Sequence, residues 1–155
     1  MTQNQPSGPV RLGDLLPAEK ILFFSTLDDK KEILRQLVLT AYPSLTTQDA
    51  MDLAAQIEKR EETVSTVLHT GIVLPHARVE GLKKLQVALA LFAQPVLFSG
   101  GKKVRALLLF LSPADPAFFS QHLQLLSISA QTFTTDFVHR LAKCTTAAEA
   151  SSLFK

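Results

Sequence analysis

The stretch that decides the fold is residues 60–78, which read R-E-E-T-V-S-T-V-L-H-T-G-I-V-L-P-H-A-R. The apolar run at 72–74 is β-branched and aliphatic, which predicts a short strand. Pro75 offers no N–H to a sheet, so the strand is expected to end there, with His76 just past its end on a rigid support. Gly71 precedes the strand, where a positive φ or a close backbone approach would require glycine.

Apolar strands alternate with amphipathic helices on both sides of this stretch. Further strands are predicted at 21–24, 85–93 and 104–111, and the last two are nearly continuously apolar, as in a sheet covered on both faces. Helices are predicted at 28–41, 46–60, 118–132, 136–142 and 146–154, with one helical turn at 12–16. The alternation predicts the α/β class, with helices on both faces of one sheet.

The predicted boundaries follow residues that cap helices or interrupt strands. They are Thr26 or Asp28 as the cap of the second helix, Gln94-Pro95 as the end of a strand, Gly100-Gly101 as a turn, Asp115-Pro116 as a helix start, and Thr146 with Glu149 as a capping box. At each of these boundaries, a residue that hydrogen-bonds to the backbone or restricts it lies where the spacing of apolar residues changes from that of one element to that of the next.

The length and composition are those of one globular domain. Of the 155 residues, 46% are hydrophobic and 19% are charged, which allows a sizeable core and argues against disorder over the whole chain. Residues 1–10 are polar and are predicted to form a flexible tail before a domain at 11–155. The net charge of +2 argues against a nucleic-acid binder, which usually carries a strong basic field.

Cysteine usage and hydropathy predict a cytoplasmic protein. Cys144 is the single cysteine, which excludes an internal disulfide framework and fits a reducing compartment. No apolar run approaches the roughly 20 residues of a membrane helix, so no direct membrane insertion is expected. The N-terminal residues lack the apolar centre of a signal peptide.

The chain has four histidines: His69, His76, His122 and His139. No two of them share a helix face with a carboxylate between them and there are no paired cysteines, which argues against a zinc site. The absence of a Gly-x-Ser-x-Gly elbow argues against a Ser/His/Asp hydrolase. A neutral histidine can instead act as a covalent nucleophile, and its ordinary pKa of about 6.5 keeps much of it neutral near neutral pH.

Residues 60–76 resemble the active-site motif of the fructose/mannitol-type, or type 2, enzyme IIA domains of the bacterial phosphotransferase system. The family pattern is an Arg-Glu pair, a Ser-Thr loop rich in glycine, and then Gly-Ile-x-hydrophobic-Pro-His. Here Arg60-Glu61, Ser65-Thr66 and residues 71–76 fall in register. The nearest subset is the stand-alone, nitrogen-regulatory IIA proteins. The resemblance implies a mixed sheet of about five strands.

A second segment extends the resemblance, and the loop departs from it. Residues 122–128, H-L-Q-L-L-S-I, resemble the family segment in which a second active-site histidine precedes an apolar helix. The glycines usual in the family's loop are replaced here by Val64, Val67 and His69. These replacements predict a stiffer loop whose backbone is less open to a phosphate.

The resemblance implies that His76 is a phosphoryl acceptor. Phosphoryl transfer needs in-line positioning and compensation of charge on the equatorial oxygens more than it needs an acid or a base. Arg60 would supply that charge through a planar fork suited to phosphate. His122 would form a hydrogen bond with the phosphorylated ring or with the phosphoryl oxygens.

Further phosphate contacts are expected around His76. Ser65 and Thr66 would either donate hydrogen bonds to the phosphoryl group or shape the loop. Arg78 would be a second phosphate contact or a charge that docks a partner. His69 is expected to be an exposed loop residue and His139 a solvated helix residue.

By resemblance, the expected function is that of a phosphohistidine phosphocarrier. His76 would accept a phosphoryl group from the small carrier HPr and pass it to an enzyme IIB, or hold it as a signal. No ATP, metal or organic cofactor is implied at this step. The alternatives are a regulatory binding module switched by phosphorylation, and a degenerate member without transfer activity.

Overall fold

One mixed sheet of five strands forms the centre of the protein. The computed structural model describes residues 9–26, 29–98 and 101–155. The strands are β1 (Ile21–Phe24), β2 (Ile72–Val73), β3 (His76–Val79), β4 (Gln86–Leu97) and β5 (Lys103–Pro113). Their order is β1-β4-β5-β2, with β3 following β2 along the same side of β5. The predicted α/β class with a mixed, five-stranded sheet is confirmed.

Strand β5 lies in the interior of the sheet and connects its parallel and antiparallel parts. It pairs antiparallel with β4 on one side and parallel with β2 and β3 on the other, while β1 pairs parallel with β4. Every residue from 106 to 113 is buried. Burial on both faces explains why the sequence of β5 is apolar almost without interruption.

Two apolar cores cover the two faces of the sheet. Helices α1 (Leu12–Leu15), α4 (Phe119–Thr132), α5 (Thr135–Ala142) and α6 (Ala147–Ser152) pack on one face, and α2 (Lys30–Ala41) and α3 (Thr47–Thr63) pack on the other. Successive residues of β5 alternate between the cores because side chains in a strand point to opposite faces. Ala106, Leu108 and Phe110 join the first core, and Leu107, Leu109 and Leu111 join the second.

The caps of the two helices on the second face are visible in the structure. The side chain of Asp29 accepts from the N–H of Glu32 at 3.2 Å and begins α2. The predicted cap at Thr26 or Asp28 is therefore wrong, and Asp28 itself lies outside the described residues. Thr46 caps α3 as predicted, but the helix continues three residues beyond Arg60 to Thr63.

The predicted end of a strand at Gln94-Pro95 is wrong, because β4 continues to Leu97. The pairing register with β5 shifts between Leu91 and Val96, which is a bulge or a similar irregularity. A bulge leaves residues without ladder hydrogen bonds, so a proline there costs no hydrogen bond. In the predicted turn that follows, Gly100 lies outside the described residues, and Gly101 has a φ of 70°.

Two helix starts on the first face agree with the sequence. Asp115 accepts from the N–H of Ala117 at 2.9 Å and begins a 3₁₀ turn at Pro116–Phe118, which leads directly into α4. Thr146 and Glu149 form the predicted capping box of α6. The turn that begins at Asp115 connects the end of β5 to the start of α4, and it therefore helps to position the site residues of α4.

Residues 1–8 of the predicted tail lie outside the described residues. Val10, the last residue assigned to that tail, is buried, and its N–H donates to Gln124 Oε1 on α4 at 3.3 Å. Among the helices of residues 9–26, 29–98 and 101–155, none has the length and apolarity needed to cross a membrane.

Candidate active site

The loop between α3 and β2 folds back onto β2. Val67 pairs with Val73 as an antiparallel bridge, and the N–H of Leu68 donates to the carbonyl of Ile72 at 2.8 Å. Gly71 closes this turn with a φ of 97°, as the sequence predicts, and its N–H donates to the carbonyl of Leu68. The loop is therefore hydrogen-bonded along its length although it lacks the family's glycines.

Glu61 is a buried carboxylate near the end of α3, with 4% of its surface exposed. The hydroxyl of Thr66 donates to Glu61 Oε1 at 2.6 Å, and the N–H of Thr66 donates to Oε2. Both donors come from the loop, so the carboxylate ties the loop to the helix. Hydrogen bonds of this charge-assisted kind offset the cost of burying a carboxylate.

Thr66 and Leu74 extend this network to His76. The N–H of Leu74 donates to Thr66 Oγ1 at 3.1 Å. The carbonyl of Leu74 lies 2.8 Å from Nδ1 of His76. A carbonyl oxygen can only accept, so Nδ1 carries the proton of this hydrogen bond. In the neutral ring the lone pair is then on Nε2.

His76 is half-buried and stacks on an aromatic ring. It is the first residue of β3, opposite Phe110 of β5 in register. The two rings lie 4.9 Å apart between centroids and are inclined by 9°. β2 ends at Val73, so His76 lies past the end of that strand, as predicted. The sequence did not predict that the chain pairs with β5 again directly after Pro75, so that His76 also begins β3.

His122 lies against the ring of His76 from the side of α4. The ring centroids are 5.3 Å apart and the planes are inclined by 61°, so one ring presents its edge to the other. His122 is buried, and its Nδ1 lies 2.7 Å from the hydroxyl oxygen of Ser112 at the end of β5. The two histidines that the sequence singled out are thus brought together.

The environment of His122 holds the ring neutral. Burial, and then the nearby positive charges of His76, Arg78 and Arg60, together lower its pKa to about 4. A neutral imidazole has one donor and one acceptor nitrogen. If Ser112 donates to Nδ1, the proton of His122 is on Nε2; if Ser112 accepts, the proton is on Nδ1.

Arg60 and His76 line one cavity of about 140 Å³. Arg60 is exposed in the last turn of α3, where a cation is also favoured by the helix dipole. The remaining walls of the cavity are Ile57, Glu61, Val64 and Thr66. An arginine fork and a half-buried histidine therefore face the same small space.

The hydroxyls of the predicted Ser-Thr pair are both engaged within the protein. The Ser65 hydroxyl accepts from the N–H of Val67 at 3.2 Å, and Ser65 is exposed. The Thr66 hydroxyl joins Glu61 to Leu74, as described above. These contacts correspond to the loop-shaping alternative for both residues, and their contact with a phosphoryl group stays a prediction.

Arg78 is engaged at the start of α4. Its guanidinium donates to the carbonyls of Pro113, Ala114 and Asp115 at 3.1 to 3.2 Å and lies over the ring of Phe119, 5.3 Å from its centroid. Arg78 thus holds the turn that leads from β5 into α4. A direct phosphate contact by this residue stays a prediction.

The other residues considered from the sequence are not among those that line the cavity of Arg60 and His76. His69 and His139 are exposed, as predicted, and Cys144 is partly buried. Burial raises the pKa of the Cys144 thiol, so the thiolate is disfavoured. Within the described residues, no group of three or more His, Cys, Asp and Glu side chains could hold a metal ion.

Sequence reasoning missed two polar residues that contact the site. The sequence pattern presents Glu61 only as half of an Arg-Glu pair, although a carboxylate near the C-terminal end of a helix is disfavoured by the helix dipole, which is a signal for a local partner. The pattern presents Ser112 only as the end of a strand. A hydroxyl that closes a run of buried apolar residues was the available signal for it.

The family model that matches describes the "Phosphoenolpyruvate-dependent sugar phosphotransferase system, EIIA 2" and covers residues 14–155. The chain belongs to this family. The predicted membership in the type 2 enzyme IIA family is therefore confirmed over most of the sequence.

Two relatives of this EIIA chain carry nitrogen-regulatory names. The nitrogen regulatory protein of Pseudomonas aeruginosa is 29% identical over 139 residues, which are 89% of this chain and 90% of the relative. The crystal structure of the nitrogen regulatory protein IIA-Ntr from Neisseria meningitidis has a TM-score of 0.78 at 26% identity, covering 93% of this chain and 99% of that one. The predicted resemblance to the nitrogen-regulatory subset is confirmed.

The EIIA fold is also shared with an enzyme IIA that was solved together with an enzyme IIB. The mannitol enzyme IIA of Escherichia coli, solved as a complex with phosphorylated enzyme IIB, has a TM-score of 0.63 at 17% identity, covering 90% of this chain and 96% of that one. At this identity the likeness concerns the fold alone.

Proposed function

We propose that this EIIA-family chain is a phosphocarrier that accepts a phosphoryl group on Nε2 of His76 from the phosphohistidine of an HPr-type carrier protein. The observation that carries the proposal is the 2.8 Å contact between His76 Nδ1 and the carbonyl of Leu74. It places the ring proton on Nδ1 and leaves a lone pair on Nε2. A half-buried ring with a free lone pair is the chemical requirement for a histidine nucleophile.

The proposed step conserves atoms and charge. The lone pair of His76 Nε2 attacks phosphorus, a new N–P bond forms, and the N–P bond of the donor breaks, so that the donor ring recovers its lone pair. The ring of His76 then carries a positive charge, and its Nδ1–H donates a hydrogen bond to the Leu74 carbonyl. That hydrogen bond stabilises the cationic ring, and a cationic ring is the better leaving group for onward transfer.

Positive charge around the cavity favours the phosphoryl oxygens. Arg60 shares the cavity with His76 and presents a fork that matches phosphate geometry. Arg60 and Arg78 both lower the pKa of His122, so their charges reach this site. Neutral His122 would donate a hydrogen bond from Nε2 to a phosphoryl oxygen, with Ser112 donating to its Nδ1.

An apolar rim around the site suits transient partners. Val64, Phe119 and Leu123 are exposed by 66%, 49% and 49%. Val64 lines the cavity, while Phe119 and Leu123 flank His122 on α4. Exposed apolar residues beside a reactive group are typical of small, short-lived interfaces. The rim would receive first an HPr-type protein and then an enzyme IIB or a regulatory target in the cytoplasm.

Use of the phosphoryl group as a signal is the more strongly supported of the two fates. The relatives from Pseudomonas aeruginosa and Neisseria meningitidis, at 29% and 26% identity, are both named as nitrogen regulatory proteins. The relative solved with enzyme IIB is 17% identical. Phosphorylation would add negative charge at the rim and thereby change affinity for a target protein.

Intact-mass measurement after incubation with phosphoenolpyruvate, enzyme I and HPr tests the proposal. We expect the mass of one phosphoryl group, lost on brief acid treatment. His139→Ala provides a matched control, because His139 is exposed on α5 and does not line the cavity of His76. An unmodified protein in a mixture where HPr itself is phosphorylated would contradict the proposal and favour a degenerate member. Transfer of the phosphoryl group to an added enzyme IIB would favour transport over signalling.

A further inference from the structure

We infer that Glu61 is a positioning residue for His76, acting through Thr66 and Leu74 to keep the ring proton on Nδ1. The consequence for phosphoryl transfer rests on the proposed function. The protonation pattern itself is a property of the unphosphorylated protein and can be measured without any phosphoryl donor. A buried carboxylate close to a phosphoryl acceptor would repel the phosphoryl oxygens, so its charge alone does not explain why Glu61 lies here.

The direction of each hydrogen bond follows from the carboxylate. An ionised carboxylate only accepts, so the hydroxyl hydrogen of Thr66 points to Glu61 Oε1 across 2.6 Å. A lone pair of Thr66 Oγ1 is then left to receive the N–H of Leu74, at 3.1 Å. A donor in place of Glu61 would leave the hydroxyl hydrogen of Thr66 without its acceptor, and the hydroxyl would no longer be held in the orientation that it presents to Leu74.

Leu74 connects Thr66 to His76 because both of its backbone polar groups are hydrogen-bonded. Its N–H is held by Thr66, and its carbonyl receives Nδ1–H of His76. Pro75 follows it, which restricts Leu74 to extended backbone, and the carbonyl of Pro75 accepts from the N–H of Phe110 at 3.1 Å. The Leu74 carbonyl is therefore fixed between Thr66 on one side and β5 on the other.

The second oxygen of Glu61 restrains the loop. Oε2 accepts from the N–H of Thr66, so the carboxylate holds this residue by both its backbone and its side chain. Glu61 also lines the cavity that contains Arg60 and His76. Both oxygens of Glu61 accept hydrogen bonds from Thr66, so the carboxylate is less available to pair with Arg60. The guanidinium of Arg60 therefore remains available to a ligand in the cavity.

The test is nitrogen NMR of the imidazole rings in the unphosphorylated protein, at a pH where the rings are neutral. In the wild type we expect His76 to be protonated at Nδ1 and to carry its lone pair on Nε2. Thr66→Val keeps the shape of the side chain and removes the hydroxyl. It should shift the ratio of His76 tautomers toward Nε2–H by roughly 3- to 10-fold, the equivalent of one net hydrogen bond.

Two further variants separate positioning from folding. Thr66→Ser retains the hydroxyl and should restore the wild-type ratio. Glu61→Gln is nearly isosteric, but its amide cannot accept from both donors of Thr66, so it should shift the ratio in the same direction as Thr66→Val. The ring of His139 is the internal control and should not change in any variant, while the backbone amide spectrum reports whether each variant is folded.

The outcomes distinguish this inference from the proposed function. A wild-type His76 protonated at Nε2 would overturn the inference without the use of any variant. Folded Thr66→Val and Glu61→Gln proteins with an unchanged His76 ratio would also overturn it, even if the wild type is readily phosphorylated by HPr. A shifted ratio together with a wild type that accepts no phosphoryl group would support the role of Glu61 and contradict the phosphocarrier.

Discussion

The two histidines of the site differ in what holds their rings. Nδ1 of His76 meets a backbone carbonyl on a strand, whereas Nδ1 of His122 meets the Ser112 hydroxyl from a helix. A carbonyl can only accept, but a hydroxyl can donate or accept. The first ring is therefore fixed in one tautomer, while the second can exchange donor and acceptor roles with its partner.

The two rings also differ in burial, and this difference supports the same division of roles. His76 is half-buried at the cavity, and His122 is buried with a pKa lowered to about 4 by burial and by nearby positive charge. A ring with a fixed lone pair and an open side is suited to form a bond to phosphorus. A neutral, adaptable ring behind it is suited to donate a hydrogen bond. The comparison assigns covalent chemistry to one and support to the other.

Removal of the proposed nucleophile should have the largest effect. His76→Ala should abolish phosphorylation by HPr, because the other ring at the site, His122, is buried and has its Nδ1 engaged with Ser112. Peptide mapping of acid-labile phosphate checks this, with His139→Ala expected to behave like the wild type. Phosphate that persists in His76→Ala, or that maps to His122 in the wild type, would reverse the assignment of the two rings.

Removal of the supporting ring should slow transfer without preventing it. His122→Ala should still accept a phosphoryl group on His76, with onward transfer slowed roughly 10- to 1000-fold, the range for losing one stabilising donor or proton-transfer group. Rapid-quench measurement of phosphoryl release to the acceptor protein provides the rate. Complete loss of phosphorylation in a folded His122→Ala protein would remove the distinction drawn between the two histidines.

The charge of Arg60 acts on the side of His76 that faces the cavity. Arg60→Ala should slow phosphorylation by roughly 10- to 100-fold, as for the loss of a charge-assisted hydrogen bond, and Arg60→Lys should recover only part because the planar fork is lost. Arg60 is exposed, so thermal unfolding should change little. Wild-type kinetics in Arg60→Ala would reduce the residue to a favourable charge at the end of α3.

The smallest expected effect concerns pH and separates the buried ring from the half-buried one. The pKa of His122 is about 4 in the folded protein and ordinarily 6.5, so the unfolded chain binds its proton first as pH falls. The stability that neutral His122 provides is therefore present above pH 6.5 and is lost as the pH falls toward 4. Relative to His122→Asn, the wild type should lose roughly 1 to 3 kcal/mol between pH 7 and pH 4.

Denaturant unfolding of both proteins at several pH values measures this difference. Asn is chosen because its side-chain amide can reach Ser112 in place of Nδ1, and it does not titrate in this range. Parallel curves for the two proteins would show that His122 is solvated and ionises normally, which is incompatible with its role as a neutral donor.

Local patterns in the sequence predicted the fold well because they depend on nearby residues. The capping box of Thr146 and Glu149, the helix start at Asp115 and the positive φ of Gly71 are all settled within a few residues of chain. The run of buried residues in β5 likewise follows from its hydropathy. These features required no knowledge of what packs against them.

Features that depend on distant residues were not predictable in this way. His76 begins a strand because residues 76–79 pair with residues 110–113 of β5, which lie 34 positions further along the chain. Pro95 is accommodated within β4 because the register with β5 shifts there. Arg78 binds carbonyls at 113–115, and a pattern around Arg78 does not contain that partner.

The division of one sheet edge into β2 and β3 has a consequence for self-association. The strands at the two edges are short, with four residues in β1, two in β2 and four in β3. Leu74-Pro75 interrupts the second edge, and a proline presents no N–H to an incoming strand. The break that frees the Leu74 carbonyl for His76 therefore also makes this edge a poor template for β-aggregation, so the same two residues serve both the site and the solubility of the fold.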